Sequence, residues 1–523
     1  MTLRSRVRTR LRRFFARSEE PDNPPVVFAR SEEMDNPPVE SLVAIDSLDD
    51  LEAYRLNLRP ILQLLEDSAI EYFVVSAPRG LSRPVIGLPP PSLSVFRSLL
   101  RDSGVDLPSL AQISGDGLDR TVIATSDLAD LDIELSDVTN LRVVLYTPMT
   151  NPATGREFDN AHGCVLEVWR EDNGSLSAPD ARQAVQIAVK ARTESVPIDV
   201  LGMTGTTYAP LATSDILEVE FPIDIVFLWV DGADPQWRAK IEAAAEASGA
   251  PESGILARFR QFDELRYSLR SIARYAPWVN RVFLVTDSQR PAWLEESGTN
   301  LTVVDHREIL PASALPTFNS HSLTASLHRI PGLSEMFILF NDDILLGRPT
   351  RPERFINSNG TTRFFLSGRL VSTQPNVAHE HARLHTCDVI EKAIGSRPMR
   401  LFKHTPNAMS KSLLGELERE FASEWERTVH NTFRSATDIV PSYIHHYVGY
   451  HKRRTQPATI SYEYFELGGD SFGDALASYQ RGGPAEVLCI NDVGASSTGD
   501  NPNQLDHFFQ TQYPYRSPYE LNS

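Results

Sequence analysis

Four apolar runs from Ile223 onward end in a carboxylate. Ile223–Val230 (IDIVFLWV) leads into Asp231-Gly232-Ala233-Asp234-Pro235, and Val282–Thr286 leads into Asp287. Leu301–Val304 leads into Asp305, and Phe337–Phe340 leads into Asn341-Asp342-Asp343. Apolar runs bounded by polar residues predict strands buried on both faces, as in parallel sheets. Helical spacing fills the gaps between them, from Pro235, through Leu265, and from Asn319 to His328. Strands alternating with helices predict an α/β fold with a Rossmann-like, mainly parallel sheet. Ligands bind at the carboxyl edge of such sheets, and here that edge is ringed by acids. Asp342 and Asp343 are adjacent and wedged between apolar runs, so they require a cation, a donor cluster or solvent. A divalent metal shared with a phosphorylated substrate is one reading, and a turn with an Asx cap is the other.

The segment from Arg258 to Arg270 (RFRQFDELRYSLR) adds cationic groups. As a helix it places Leu265, Leu269 and Ile272 on one face and Asp263, Arg266 and Arg270 on another. Arginine forks suit phosphate oxygens, although the same spacing also fits a ladder of ion pairs on a solvated face. The stretch 366–460 is expected to be a mainly helical subdomain. Eight of the chain's 13 histidines fall in it, at spacings that match no zinc pattern. His404 precedes a long helix expected over 410–432, and Arg434 follows it, so the two converge if the helix folds back. Near the end of the chain, Val487–Ile490 ends in Asn491-Asp492, a second Asn-Asp strand ending.

Ahead of these runs, residues 44–215 are expected to form a separate mixed α/β domain, with strands near 71–76, 121–124, 142–146 and 164–169 and helices at 48–67 and 179–191. It carries no chemical motif. Residues 1–43 form a basic arm followed by a near-duplicate, FARSEEPDNPPV and FARSEEMDNPPV, which is too polar and proline-rich to build a core. The first 17 residues hold seven arginines and no acid, a candidate contact for an anionic membrane surface. The whole chain nonetheless carries a net charge of −18, which argues against a nucleic-acid binder. Three widely spaced cysteines give no disulfide framework and point to a reducing, cytoplasmic setting. No apolar run approaches the ~20 residues that span a bilayer. Residues 216–365 are then the catalytic core, and 461–523 complete it.

Four stretches resemble the blocks of the Stealth family: Ile223–Pro235, Arg258–Val285, Thr317–Gly347, and His404–Pro406 with Arg434. That family includes bacterial capsule and cell-wall polysaccharide phosphotransferases and the catalytic subunit of the animal lysosomal-enzyme N-acetylglucosamine-1-phosphotransferase. The resemblance covers roughly 221–520. It implies transfer of a sugar 1-phosphate from a nucleotide sugar, UDP-linked in the simplest case, to a hydroxyl of an oligo- or polysaccharide acceptor. It also implies dependence on Mg²⁺ or Mn²⁺, a catalytic His404 in the fourth block, a catalytic Arg434 beyond it, and a third-block pair at Asp342 and Asp343. On this reading Asp343 is both catalytic and a metal ligand, with Asp342 and Asp492 as further ligands. The donor is expected against Asp231, Gly232, Arg258, Asp263, Arg266 and Arg270, with Asn319 and His321 as additional substrate contacts. Homo-oligomerisation is left open. The competing readings are a glycosyltransferase that releases a nucleoside diphosphate and a non-catalytic carbohydrate-binding protein of the envelope.

Overall fold

The computed structural model describes residues 42–75, 83–100, 106–116, 118–130, 140–179, 186–190, 193–248, 259–467, 472–491 and 502–521. Its central sheet is built from the four acidic-ended runs: β1 (Ile223–Leu228), β2 (Val282–Thr286), β3 (Leu301–Asp305) and β4 (Met336–Asn341). The spatial order is β3-β2-β1-β4, all parallel. A fifth strand, Asn407–Ser410, pairs antiparallel outside β4. The register aligns the strand ends, since Leu228 lies opposite both Val285 and Asn341, and Thr286 lies opposite Asp305. The residues that follow therefore leave the sheet along one edge.

Period-two alternation sorts these strands onto two cores. Ile225, Phe227, Ile338 and Phe340 join one buried cluster, and Val226, Phe337 and Leu339 join the other. Both faces are covered, which explains the continuous apolar runs. On the first face lies the helix α1 (Glu264–Tyr275), whose Leu265, Leu269 and Ile272 are buried as the spacing predicts. Each such side chain contributes about 1.5–3 kcal/mol. The second face is covered by α2 (Ser320–Ser326) together with α4 (Lys411–Glu420) and α5 (Ala422–His430).

Two expectations for the later segments are modified. The stretch 366–460 is rich in helix, as expected, but it also carries strands. A nine-residue strand, Thr362–Leu370, runs into it, and short strands at Arg400–Phe402, Asn407–Ser410 and Thr455–Ala458 accompany the helix α3 (Ala378–Ile394). The long helix expected over 410–432 is two helices, α4 and α5. They break at Phe421, whose φ/ψ of −111/35 ends the first helix while its side chain is buried.

Beyond β4 the chain passes straight into β5 (Ile344–Leu346). β5 belongs to a second small sheet with β6 (Tyr462–Glu466) and β7 (Val487–Asn491), in the order β5-β7-β6. Asp342 and Asp343 are the two residues between the sheets.

The N-terminal part has its own six-stranded sheet, and Ala188–Lys190, expected within a helix, pairs as a strand with Ser175–Ser177. Its core nevertheless continues into that of the central sheet: Leu51, Leu58 and Leu65 belong to the cluster that holds Ile225 and Leu269. The Asp49 carboxylate receives two hydrogen bonds from Arg274 of α1, each 2.7 Å. Among the described residues, no helix is long and apolar enough to cross a membrane.

Candidate active site

The β4–β5 junction places two half-buried carboxylates at the carboxyl edge. Asp342 has its pKa pushed up to about 6 by burial and by the like charge of Asp343. Its partner is Gln261, whose Nε2 lies 3.4 Å from Asp342 Oδ2 and 3.3 Å from the Val230 carbonyl oxygen. Trp229 Nε1 donates to Gln261 Oε1 at 3.0 Å, so one side chain ties the end of β1 to the acidic pair. Glu264, at the start of α1, is also buried, and its carboxyl is pushed up to about 8 by burial and then by Asp342 and Asp343. The sequence reading missed it. Its signal was a carboxylate at the start of a helix whose next turn is apolar.

His404 comes from the loop before the edge strand Asn407–Ser410. Pairing of Leu339 with Asn407 carries that loop to the end of β4. Its Nε2 lies 3.3 Å from Asp343 Oδ2 and 3.0 Å from Asn341 Nδ2. Desolvation alone would lower the imidazole pKa, but the charge and hydrogen bond of Asp343 outweigh it and hold it above its usual value. Nε2 donates to Asp343 whenever it carries a proton, in the imidazolium or the Nε2–H tautomer, and accepts from Asn341 when it does not. The side chain is 40% exposed, so a substrate hydroxyl has access to it.

On the other side, Arg434 Nη2 donates to Ser320 Oγ at 2.8 Å, at the first residue of α2. Its loop is fixed by Asp438, a buried carboxylate that the sequence reading also missed. Asp438 accepts from Asn319 Nδ2 at 2.9 Å, from Asn431 Nδ2 at 2.6 Å and from the Ser435 amide at 3.0 Å, with His321 Nδ1 at 3.1 Å. Phe433 stacks on Phe318, with centroids 5.5 Å apart. Asn319 caps α2 through its Oδ1, so Asn319 and His321 brace the Arg434 loop. The positive charges of Arg383, on α3, and of Arg434 both bear on His404 and on His321. Asp343 and His404 are thus in direct contact, and the charges of Arg434 and Arg383 act on the His404 ring.

Other expected residues lie differently. Arg270 does not present a phosphate fork. It is buried, with Nε and Nη2 each 2.8 Å from Glu520 and Nη1 3.0 Å from the Tyr513 carbonyl oxygen. Arg266 donates to the same carboxylate at 2.7 Å. The cause is the C-terminal tail, which buries Glu520 completely and so requires both cations. Asp263 takes a left-handed conformation before α1 and pairs with Arg266 at 3.3 Å. Asp231 Oδ1 accepts from the Ala233 amide at 2.8 Å, and the Asp231 amide donates to Gln289 Oε1 at 2.9 Å, so both groups serve the turn after β1. Gly232 is required there because a Cβ would sit 2.2 Å from the Phe259 carbonyl oxygen. Arg258 and Asp492 lie outside the described residues.

The donor set bears on the expected cation. Asp343 Oδ1 is buried without a hydrogen-bond partner, next to Asp342, and an oxygen left so fits a ligand to a hard divalent ion. Asp343 Oδ2 faces instead His404 and Cys489, whose Sγ is 3.5 Å away. Pairing of Ile344 with Cys489 puts the sulfur there.

Comparison with known proteins places these residues in recognised segments. Residues 221–249 match Stealth protein conserved region 1, 258–364 match conserved region 2, and 403–450 match conserved region 3. Asp342 and Asp343 thus fall in the second region and His404 and Arg434 in the third, one block earlier than the numbering expected from sequence. An exopolysaccharide phosphotransferase of Streptomyces coelicolor is 35% identical over 488 residues, covering 89% of this chain and 82% of that protein. A second from the same organism is 32% identical over 520 residues, covering 90% and 84%. The exopolysaccharide phosphotransferase CpsY of Mycobacterium tuberculosis is 32% identical over 424 residues, covering 77% and 76%. Among solved structures, a galactosyltransferase LgtC complex aligns over 55% of this chain and 95% of its own at 13% identity, with a TM-score of 0.31, too low to bear on fold or chemistry.

Proposed function

This chain belongs to the Stealth family and is a phosphotransferase, and on that premise we propose that it moves a hexose or hexosamine 1-phosphate from a UDP-linked sugar to a hydroxyl of an acceptor glycan in exopolysaccharide synthesis. The products are a phosphodiester and UMP. The observation that carries this reading is the His404–Asp343 contact, on whose imidazole the charges of Arg383 and Arg434 also act.

The acceptor hydroxyl oxygen attacks the donor's β-phosphorus as its proton passes to His404 Nε2. The bond from that phosphorus to the bridging oxygen breaks, and its electron pair leaves with UMP. Asp343 orients the ring and stabilises the imidazolium that forms. General-base action of this kind contributes about 10²–10⁴-fold. Arg434 and Arg383 face the phosphoryl oxygens, where transition-state charge accumulates. A divalent ion, Mg²⁺ or Mn²⁺, neutralises charge on the donor diphosphate when bound, and Asp342 with Asp343 Oδ1 would hold it. The acceptor approaches from the exposed side of His404. The donor nucleotide lies along the edge toward Asp231 and the start of α1.

The test is the nucleotide product. Purified full-length protein is incubated with Mg²⁺, UDP-sugars and candidate glycans. UMP with a phosphodiester-linked glycan is expected, whereas UDP as the enzymatic product overturns the reading in favour of glycosyl transfer.

A further inference from the structure

Asp343, His404 and Cys489 come from three separate elements, yet their donor atoms all lie within 4.8 Å of one another. Two strand pairings and a backbone bond arrange this. Ile344 faces Cys489 across β5 and β7, and the Ile490 amide donates to the Asp343 carbonyl oxygen at 3.0 Å. The pairing of β4 with the edge strand delivers His404 from the other side. Cys489 lies outside all three matched family segments.

The measured edges have a specific meaning. Nε2 of His404 is 3.3 Å from Asp343 Oδ2, and Cys489 Sγ is 3.5 Å from the same oxygen. A tetrahedral ion bound at about 2.0–2.1 Å to nitrogen and oxygen and about 2.3 Å to sulfur needs ligand–ligand edges of about 3.3–3.6 Å. The two measured edges fit that size, and the third donor pair lies within 4.8 Å. One thiol, one imidazole and one carboxylate make a donor set for zinc, not for magnesium, which takes oxygen ligands in an octahedron. Three protein ligands leave a fourth position open, on the exposed side of His404.

We propose that Asp343 Oδ2, His404 Nε2 and Cys489 Sγ form a binding site for a zinc-class divalent ion, distinct in donor atoms from the hard-ion position at Asp342 and Asp343 Oδ1, and that its occupation silences the enzyme. As sulfur binds, its proton leaves to solvent. The lone pair at His404 Nε2 goes to the ion, Asn341 Nδ2 loses that acceptor, and the ring no longer takes a proton from an acceptor hydroxyl. The binding half stands on the three donor atoms alone, and the silencing half rests on the function proposed above.

Cobalt reports on the site directly. Metal-stripped full-length protein titrated with Co²⁺ is expected to develop a thiolate-to-cobalt charge-transfer absorption at one equivalent. Zn²⁺ should abolish it stoichiometrically, and millimolar Mg²⁺ should leave it unchanged. Cys489→Ser should lose the band, and His404→Ala, at an exposed loop position that leaves the core intact, should weaken cobalt binding at least tenfold. Absence of the band in the parent protein, or its persistence in folded Cys489→Ser, overturns the site. Should Cys489→Ser not fold, unchanged cobalt affinity in His404→Ala overturns it equally. In a turnover assay with Mg²⁺, one equivalent of Zn²⁺ should suppress UMP release, and a chelator should restore it. Turnover insensitive to zinc despite the band removes the silencing half alone. A band without phosphotransfer under any condition counts against the proposed function and leaves the metal site standing.

Discussion

His404 Nε2 lies 3.3 Å from Asp343 Oδ2, and this contact joins a loop preceding the sheet's edge strand to the junction between two sheets. The carboxylate raises the imidazole pKa above its usual value against desolvation. Activity that requires the neutral ring is therefore lost as pH falls through that raised value. Asp343→Asn removes the charge and leaves at most a neutral acceptor, so desolvation dominates. The acidic limb of the kcat/KM profile should move to lower pH while the rate falls. His404→Ala should reduce turnover about 10²–10⁴-fold with little change in thermal midpoint, since the side chain stands on a loop outside the packed cores and is 40% exposed. Steady-state kinetics between pH 5 and 9 check both outcomes.

Arg383 was not anticipated from spacing, yet its charge bears on His404, His321 and Tyr443. Arg383→Ala should weaken phosphotransfer about tenfold or more, the scale of a lost charge-assisted hydrogen bond. Arg383→Lys should recover only part of it, because a point charge lacks the planar fork. Equal activity in all three proteins would show that Arg383 does not meet the phosphate.

Glu520 is completely buried between Arg266 and Arg270, and its carboxyl is held down to about 2: burial opposes this, but Arg270, the Ser517 amide and Arg266 prevail. Its folded pKa is depressed, so its stabilisation is full above the ordinary glutamate value and is lost as pH falls through about 2. Glu520→Gln leaves two cations without their partner and should cost about 3–5 kcal/mol. Arg270→Leu should likewise lower the thermal midpoint. Below that midpoint it should retain the donor KM, the result that distinguishes a brace from a phosphate clamp.

Glu264, pushed up to about 8, behaves in the opposite sense. The metal-free protein holds its proton where the unfolded chain has lost it. Stability therefore falls as pH rises from the ordinary glutamate value to about 8 and levels off above it. Glu264→Gln should flatten that slope and exceed the parent in thermal midpoint at pH 8. Thermal scans of metal-stripped protein at pH 5, 6.5 and 8 measure it. Equal slopes in the two proteins would show that Glu264 is ionised throughout.

Local pattern determined much of this protein. Apolar runs ending in aspartate specify doubly buried parallel strands with acids at one edge, because strand burial and side-chain alternation are read within a few residues. The spacing of Leu265, Leu269 and Ile272 specifies the buried face of α1 for the same reason. Partner choice over long distances is not local, and only the tertiary structure decided it. Arg266 and Arg270 have the spacing of a phosphate fork, but a buried Glu520 some 250 residues away claims them, since an unpaired buried carboxylate costs more than a free surface arginine gains. Strand register set Cys489 against Asp343, and the packing of α2 against the Arg434 loop made Asp438 its anchor. The acidic pair at Asp342 and Asp343 was legible as an edge. Which oxygen faces a hard ion, and which faces a histidine and a thiol, follows from how two sheets meet there.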